Sequence, residues 1–198
     1  TSETQEHGRY KLSTMSVIQT PPTSLSGEVS FPAPSATAKY IMMAHTHNSP
    51  ASSTYSIFSW HDLEAIANLV KTNNVDTNQF VAFLATADGT FYALTIDNLN
   101  AFIQFFALPK DPLYNAEIAM NRSEAILNYY NPKFNVDIVS PLIIENGTSN
   151  LADEKAFLNL LQNNNMGMTL FETDANFNSF TKVKINKTTN NIEPNPCP

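Results

Sequence analysis

The sequence predicts an α/β protein with a mixed central sheet flanked by helices, and three observations carry that reading. Short stretches rich in β-branched and aromatic residues, such as 80–86 and 91–96, have the composition of strands. Segments such as 61–72 instead repeat their apolar residues Leu63, Ile66, Ala67 and Val70 at helical spacing. The 42% hydrophobic content of 198 residues is enough to bury a sizeable core, so disorder is not the default. Residues 1–108 are expected to form the core. Residues 109–198 are expected to form an α+β extension packed on it as one globular unit.

Taken in order, the first 37 residues are polar, with 9–12, 16–18 and 28–31 as short strand pieces and Thr20-Pro-Pro as a turn. The run Tyr40-Ile-Met-Met-Ala44 reads as a buried strand. Residues 48–56 are mostly Ser, Thr, Ala and Pro, the composition of a surface loop, and are expected to form a mobile lip. Ser59 reads as the N-cap of the helix at 61–72, which Asn73-Asn74 closes. Residues 80–86 and 91–96, joined across Asp88-Gly89, form a central antiparallel hairpin. Asp97 is expected to cap a helix to Phe106 that Pro109 ends. A second helix is predicted over 115–130, stopped by Asn131-Pro132. Residues 136–144 read as irregular or short strand, 151–161 as a helix, and 168–172 with 180–185 as a last strand pair. The tail from Asn186 is expected to fray.

Charge and composition exclude some partners. A formal charge of -7 with only 11 Lys and Arg, none clustered, leaves no footprint for a phosphate backbone or an anionic membrane, so nucleic acid is not an expected partner. No apolar run reaches the length of a membrane span, and Thr1-Ser-Glu-Thr-Gln-Glu6 lacks the basic and apolar regions of a signal peptide. The chain opens on Thr rather than Met, which suggests a processed or truncated product. Cys197 stands alone in the terminal Asn195-Pro-Cys-Pro198, which argues against a cysteine metal site or a Cys/His nucleophile pair. Oligomeric state is not legible.

The chemistry concentrates in the histidines. His45 and His47 follow the buried run, and side chains two apart on a strand share a face. A bare His-x-His pair more often makes ordinary hydrogen bonds; the arrival of Asp62 at the start of the next helix changes the balance. Two imidazoles and a carboxylate fit Zn2+ best and leave a fourth tetrahedral position for water, the arrangement of a catalytic site. Ser59 and Asp62 also have the spacing of a capping box, which starts helices without any catalytic role. An Asp62 that ligates metal is expected to be unable to cap the Ser59 amide fully, freeing the Ser59 hydroxyl to face the site. His61 would point elsewhere on the helix and reads as a surface or supporting residue.

In this order, His45-Thr-His47 and then Ser59-x-x-Asp62 opening a helix, the residues resemble the signature of the JAMM/MPN zinc metalloproteases, peptidases and isopeptidases with a deaminase-like α/β fold. The resemblance runs from about residue 5 to residue 107. The form Phe58-Ser-x-x-Asp62 and the stretch Asp88-Gly-Thr-Phe-Tyr-Ala-Leu94 are similar to the bacterial, JAB-like branch. It implies that His45, His47 and Asp62 hold zinc, that Ser59 helps stabilise the oxyanion, and that an upstream glutamate is the general base. Asn48 stands where the family usually has proline, and the gap from His47 to Ser59 is longer than in typical members. Glu6 and Glu28 compete for the base. Glu6 is favoured because it lies far enough upstream for two intervening strands, whereas Glu28 leaves little room before His45.

The activity so implied is zinc-dependent cleavage of a peptide or isopeptide bond in a peptide or protein substrate. Two other readings stay open. A polymerase-and-histidinol-phosphatase-like or amidohydrolase barrel would need more histidines than His7 and His61 supply, and a longer chain. A non-catalytic MPN-like scaffold or binding module could keep the fold and the metal while lacking a positioned base.

Overall fold

Strand alternation sorts the chain's apolar residues onto a seven-stranded mixed sheet. The computed structural model describes residues 6–20, 29–35, 37–47, 55–106, 126, 129–130, 142–143 and 150–196. The strands are β1 (Gly8–Leu12), β2 (Tyr40–His47), β3 (Val81–Thr86), β4 (Phe91–Ile96), β5 (Met168–Thr173), β6 (Phe180–Asn186) and β7 (Asn191–Pro194), and they lie side by side in sequence order. The helices are α1 (Trp60–Lys71), α2 (Leu99–Phe106) and α3 (Asn150–Asn163). In β3 the alternation is plain: Ala82, Leu84 and Thr86 are buried, and Val81, Phe83 and Ala85 only partly. Among the described residues no helix is long and apolar enough to cross a membrane.

One pairing in this sheet decides where a site can form. β2 and β3 run parallel, while the other five neighbouring pairs are antiparallel. Parallel neighbours need a crossover, and α1 supplies it, burying Leu63, Ile66, Ala67 and Val70 in the core shared with Leu84 and Leu94. The carboxyl end of β2 therefore meets the amino end of α1. In α/β sheets that crevice is where ligands bind.

β1 lies antiparallel to β2 with Gly8 opposite His45 and Tyr10 opposite Met43. The register shifts between Lys11 and Leu12, so that Leu12 pairs with Tyr40 and Ile41 is passed over. This bulge turns Tyr40 to the face of Tyr10, where it meets Tyr10 and Phe31 edge to face at 6.0 and 6.4 Å. The expected strand at 16–18 is not formed. Val17 and Ile18 are exposed, and only Gln19 bridges back to Tyr10. Two apolar side chains without a covering layer do not hold a strand.

The β3–β4 hairpin turns at Gly89, whose φ of +79° a side chain would resist. Beyond it the expected cap moves by one residue. Asn98, not Asp97, accepts the Ala101 amide at the start of α2, while Asp97 accepts the Thr169 hydroxyl of β5. The expected fraying from Asn186 is also corrected, because β7 pairs antiparallel with β6. Asn186 accepts the amides of Thr188 and Thr189 and Asn190 takes a φ of +54°, which closes a tight turn and returns Ile192 to the core. Glu28, Pro109, Cys197, the 48–54 part of the lip, nearly all of the predicted helix at 115–130 and of the segment at 136–144 lie outside the described residues.

β5 pairs with β4, so residues beyond 150 extend the sheet that begins at Gly8. α3 covers the same core with Phe157, Leu158, Leu160 and Leu161. On it Glu154 is buried, accepts the Tyr92 hydroxyl at 3.2 Å on Oε2, and leaves Oε1 without a partner among the described residues. Burial, with the neighbouring Glu172 carboxylate acting in the same direction, pushes the Glu154 carboxyl up to about 8. An unfolded glutamate ionises near 4.5, so between these values the unfolded chain has released a proton that the folded one keeps. Stability is therefore expected to fall as pH rises from about 4.5 to about 8, by less than about 1.4 kcal/mol per pH unit from this group. Urea unfolding across that range checks it. Glu154→Gln should flatten the slope, and a slope unchanged in that variant would assign it elsewhere.

Candidate metal centre

His45 and His47 project from the last turns of the β2 pleat on one face, and Asp62 meets them from the first turn of α1. His45 Nε2 lies 3.0 Å from His47 Nε2 and 3.1 Å from Asp62 Oδ1, and His47 Nε2 lies 3.4 Å from Asp62 Oδ2. Among the described residues these three are the group able to hold a metal ion. The distances suit one. Donors bonded at about 2.0–2.1 Å around a tetrahedral ion stand roughly 3.3–3.4 Å apart, close to the spacing observed.

His47 and Asp62 are each oriented by a partner outside the triad. His47 Nδ1 lies 2.8 Å from the Tyr55 carbonyl oxygen, which can only accept, so Nδ1 carries the proton and the Nε2 lone pair faces the other donors. Asp62 Oδ2 accepts the Ser59 amide at 2.7 Å and the Ser59 hydroxyl at 2.9 Å, while Ser59 Oγ accepts the Asp62 amide at 3.2 Å. The capping box is complete, and Asp62 still presents Oδ1 to His45. Capping and ligation are thus compatible, contrary to the expectation from spacing. A carboxylate has two oxygens and divides the tasks, and the Ser59 hydroxyl is turned to Asp62.

The electrostatics follow from this crowding. Burial alone would lower the His45 pKa, but the Asp62 charge and hydrogen bond, with Glu6 adding to them, hold it above the ordinary imidazole range. Burial would raise Asp62, yet the His45 charge and hydrogen bond, with His47 adding to them, keep it well below the usual carboxylate range. The positive end of α1 acts in the same direction. Asp62 is anionic at neutral pH.

The segment that delivers Ser59 is fixed from below. Ile57 and Phe58 are fully buried, and the Phe58 ring packs against His45 at 6.3 Å and Phe157 of α3 at 6.1 Å. Ser56 donates to Asp153 at 2.7 Å and Tyr130 donates to the Phe58 carbonyl at 2.7 Å. Burial and the charges of Asp62, Tyr55 and Asp153 push the Tyr130 phenol well above its ordinary value, so it stays a donor. Sequence reading missed Tyr55, Asp153 and Tyr130. An acid in the first turn of a helix is already explained by the helix dipole, so Asp153 gave no signal.

Glu6 joins the same cavity. His7 extends the β1–β2 ladder by one step, its carbonyl accepting the Thr46 amide and its own amide donating to Thr46 Oγ1. That brings Glu6 alongside His47, and it lines the cavity with His45, His47, Ser59 and Asp62. The route differs from the one expected: among the described residues only one strand, β1, separates Glu6 from β2. His61 is exposed at the cavity's edge, stacked on Trp60 at 3.4 Å, and contributes no donor to the triad. No family model matches the chain, and no curated protein or solved structure matches it either. The chemistry of the site rests on its own atoms.

Because Ser59 both caps α1 and restrains Asp62, Ser59→Ala is expected to cost about 1 kcal/mol of stability in chelator and to weaken divalent-ion binding about tenfold or more. Unfolding in chelator and a competition titration measure the two effects separately. Unchanged ion affinity would show that Asp62 needs no restraint from Ser59.

Proposed function

We propose that this protein is a zinc-dependent hydrolase of the JAMM/MPN type that cleaves a peptide or isopeptide bond. The observation that carries the reading is the convergence of His45, His47 and Asp62 within bonding range of a single ion, with Glu6 on the wall of the same cavity. The order of elements from β1 to α2, with the histidines on a strand and Ser59 opening the next helix, supports it further.

His45 Nε2, His47 Nε2 and Asp62 Oδ1 would hold zinc. When bound, zinc supplies Lewis-acid polarisation of the scissile carbonyl and a water acidic enough to react near neutral pH. Glu6 takes a proton from the attacking water on its carboxylate and returns it to the leaving nitrogen, a transfer that needs reach but no bond to the ion. Ser59 Oγ keeps its bond from the Asp62 amide through a lone pair, so its proton can turn from Asp62 Oδ2 to the developing oxyanion without loss of the cap. The Tyr55 carbonyl holds the His47 ring throughout.

The runner-up, an MPN-like scaffold without catalysis, has one observation in its favour. The three side chains already lie within hydrogen-bonding range of one another, with His45 beside the Asp62 carboxylate, so the cluster needs no metal to be a tolerable core feature. Metal content and activity separate the readings.

Protein purified without chelator is expected to carry about one zinc per chain, and a His45→Ala/His47→Ala double variant to carry none, by elemental analysis. Equal zinc in both would remove the site. Glu6→Gln is expected to keep its zinc and fold but to lose activity on a peptide library by about a hundredfold or more, with Glu28→Gln close to the parent. Turnover that survives Glu6→Gln would assign the base elsewhere, and an inert parent that holds zinc would favour the scaffold.

A further inference from the structure

The donors occupy only one wall of their cavity. It measures about 640 Å³, within the range of roughly 300–1,000 Å³ typical of ligand pockets, and its other wall is apolar. Met43 lies two residues before His45 on the same face of β2, so it begins about 7 Å from the ligand. Its register partner on β3 is Ala82, whose small side chain leaves the floor low, and Phe80 borders it. Phe31 and Ile66 of α1 also line the cavity. The wall is continuous with the core, since Phe80, Ala82 and Ile66 belong to it and Phe31 and Met43 pack against that core.

We infer that this apolar wall is a subsite for a bulky aliphatic or aromatic side chain on the residue adjoining the scissile bond, which makes the substrate a chain cleaved internally beside such a residue. The inference rests on the hydrolase reading above. Distance supports it: successive residues of an extended substrate advance about 3.3–3.6 Å, so a neighbouring side chain reaches the Met43–Ala82 floor when the carbonyl is at the donors. Charge narrows it. No Lys or Arg lines the cavity among the described residues, and its fixed charges are the carboxylates Glu6 and Asp62. An acidic side chain or the free carboxylate of a C-terminal residue would find no Lys or Arg on these walls to hold it. Removal of single C-terminal residues is therefore disfavoured.

The test uses the full chain loaded with zinc and four hydroxamic acids as probes: acetohydroxamate, an isobutyl-bearing one, a benzyl-bearing one and a succinyl one ending in a carboxylate, measured by calorimetry. The isobutyl probe is expected to bind at least about tenfold more tightly than acetohydroxamate, the gain of burying a leucine-sized group, and the succinyl probe no more tightly. Ala82→Leu should remove the gain while leaving zinc uptake and acetohydroxamate binding unchanged. Met43→Ala, which enlarges the floor, should shift preference toward a benzyl-bearing probe, and it stands as the readout if Ala82→Leu does not fold. Equal binding of the acetyl and isobutyl probes to zinc-loaded protein would overturn the subsite and leave the hydrolase reading intact. Failure to take up zinc would instead remove the hydrolase reading and the subsite with it.

Discussion

The two oxygens of Asp62 join the parts of this structure that matter most. Oδ2 completes the cap that starts α1, and Oδ1 faces His45, so the helix and the strand end are tied at one carboxylate. The position of α1 follows from its cap, and the position of the third ligand follows from α1. A buried carboxylate would ordinarily resist ionisation, yet here two imidazoles and the Ser59 amide and hydroxyl compensate it. Removing the Asp62 carboxylate would leave the Ser59 amide without its partner and His45 and His47 facing each other across 3.0 Å. Stability and site are coupled at this residue, and neither can be altered alone.

That carboxylate is useful only if the approach to the helix is fixed, and the fixing comes from far along the chain. Ser56 reaches Asp153 across 97 residues, and Tyr130 reaches the Phe58 carbonyl across 72. Phe58 itself sits between a metal-site ring and α3. The Tyr55 carbonyl that sets the His47 tautomer begins this supported segment. Residues beyond 150 therefore extend the sheet and also set the angle at which Ser59 and Asp62 arrive. Ligands must be held to within about half an ångström to be useful, and a segment of four residues cannot hold itself that well.

The parts legible in the sequence are those settled by near neighbours. The β2 run, the helical period of α1, the hairpin at Gly89 and the pairing of Ser59 with Asp62 are all decided within a few residues, and each forms where the pattern places it. The His45, His47 and Asp62 set was legible for the same reason, since a strand end and a helix start bracket it. What escaped depends on pairing across distance. β7 exists because Ile192 finds the core and Glu193 meets Lys184 at 3.3 Å, and neither is visible in a polar tail with prolines. Asp97 looks like a cap until Thr169 of β5 draws it away and Asn98 takes the role. The supposed conflict between capping and ligation failed for a more local reason: it counted carboxylates where it should have counted oxygens.

Glu6 shows how the same sheet serves chemistry as well as shape. It reaches the cavity because the β1–β2 ladder continues through His7 and Thr46, not because an independent loop carries it there. The proposed base and the candidate ligand His47 keep a spacing set by the backbone hydrogen bonds between His7 and Thr46, which vary far less than a loop does. Gly8 adds to this, since it lies opposite His45 and puts no side chain between that ring and Glu6. The arrangement has an energetic cost, because Glu6 and Asp62 place two carboxylates along one cavity without a Lys or Arg among the described residues that line it. In the metal-free protein the raised pKa of His45 partly offsets that charge, and a bound dication would offset more of it. Two carboxylates and two histidines gathered in one cavity are the physical argument for proposing that it holds a positive ion with a base within reach.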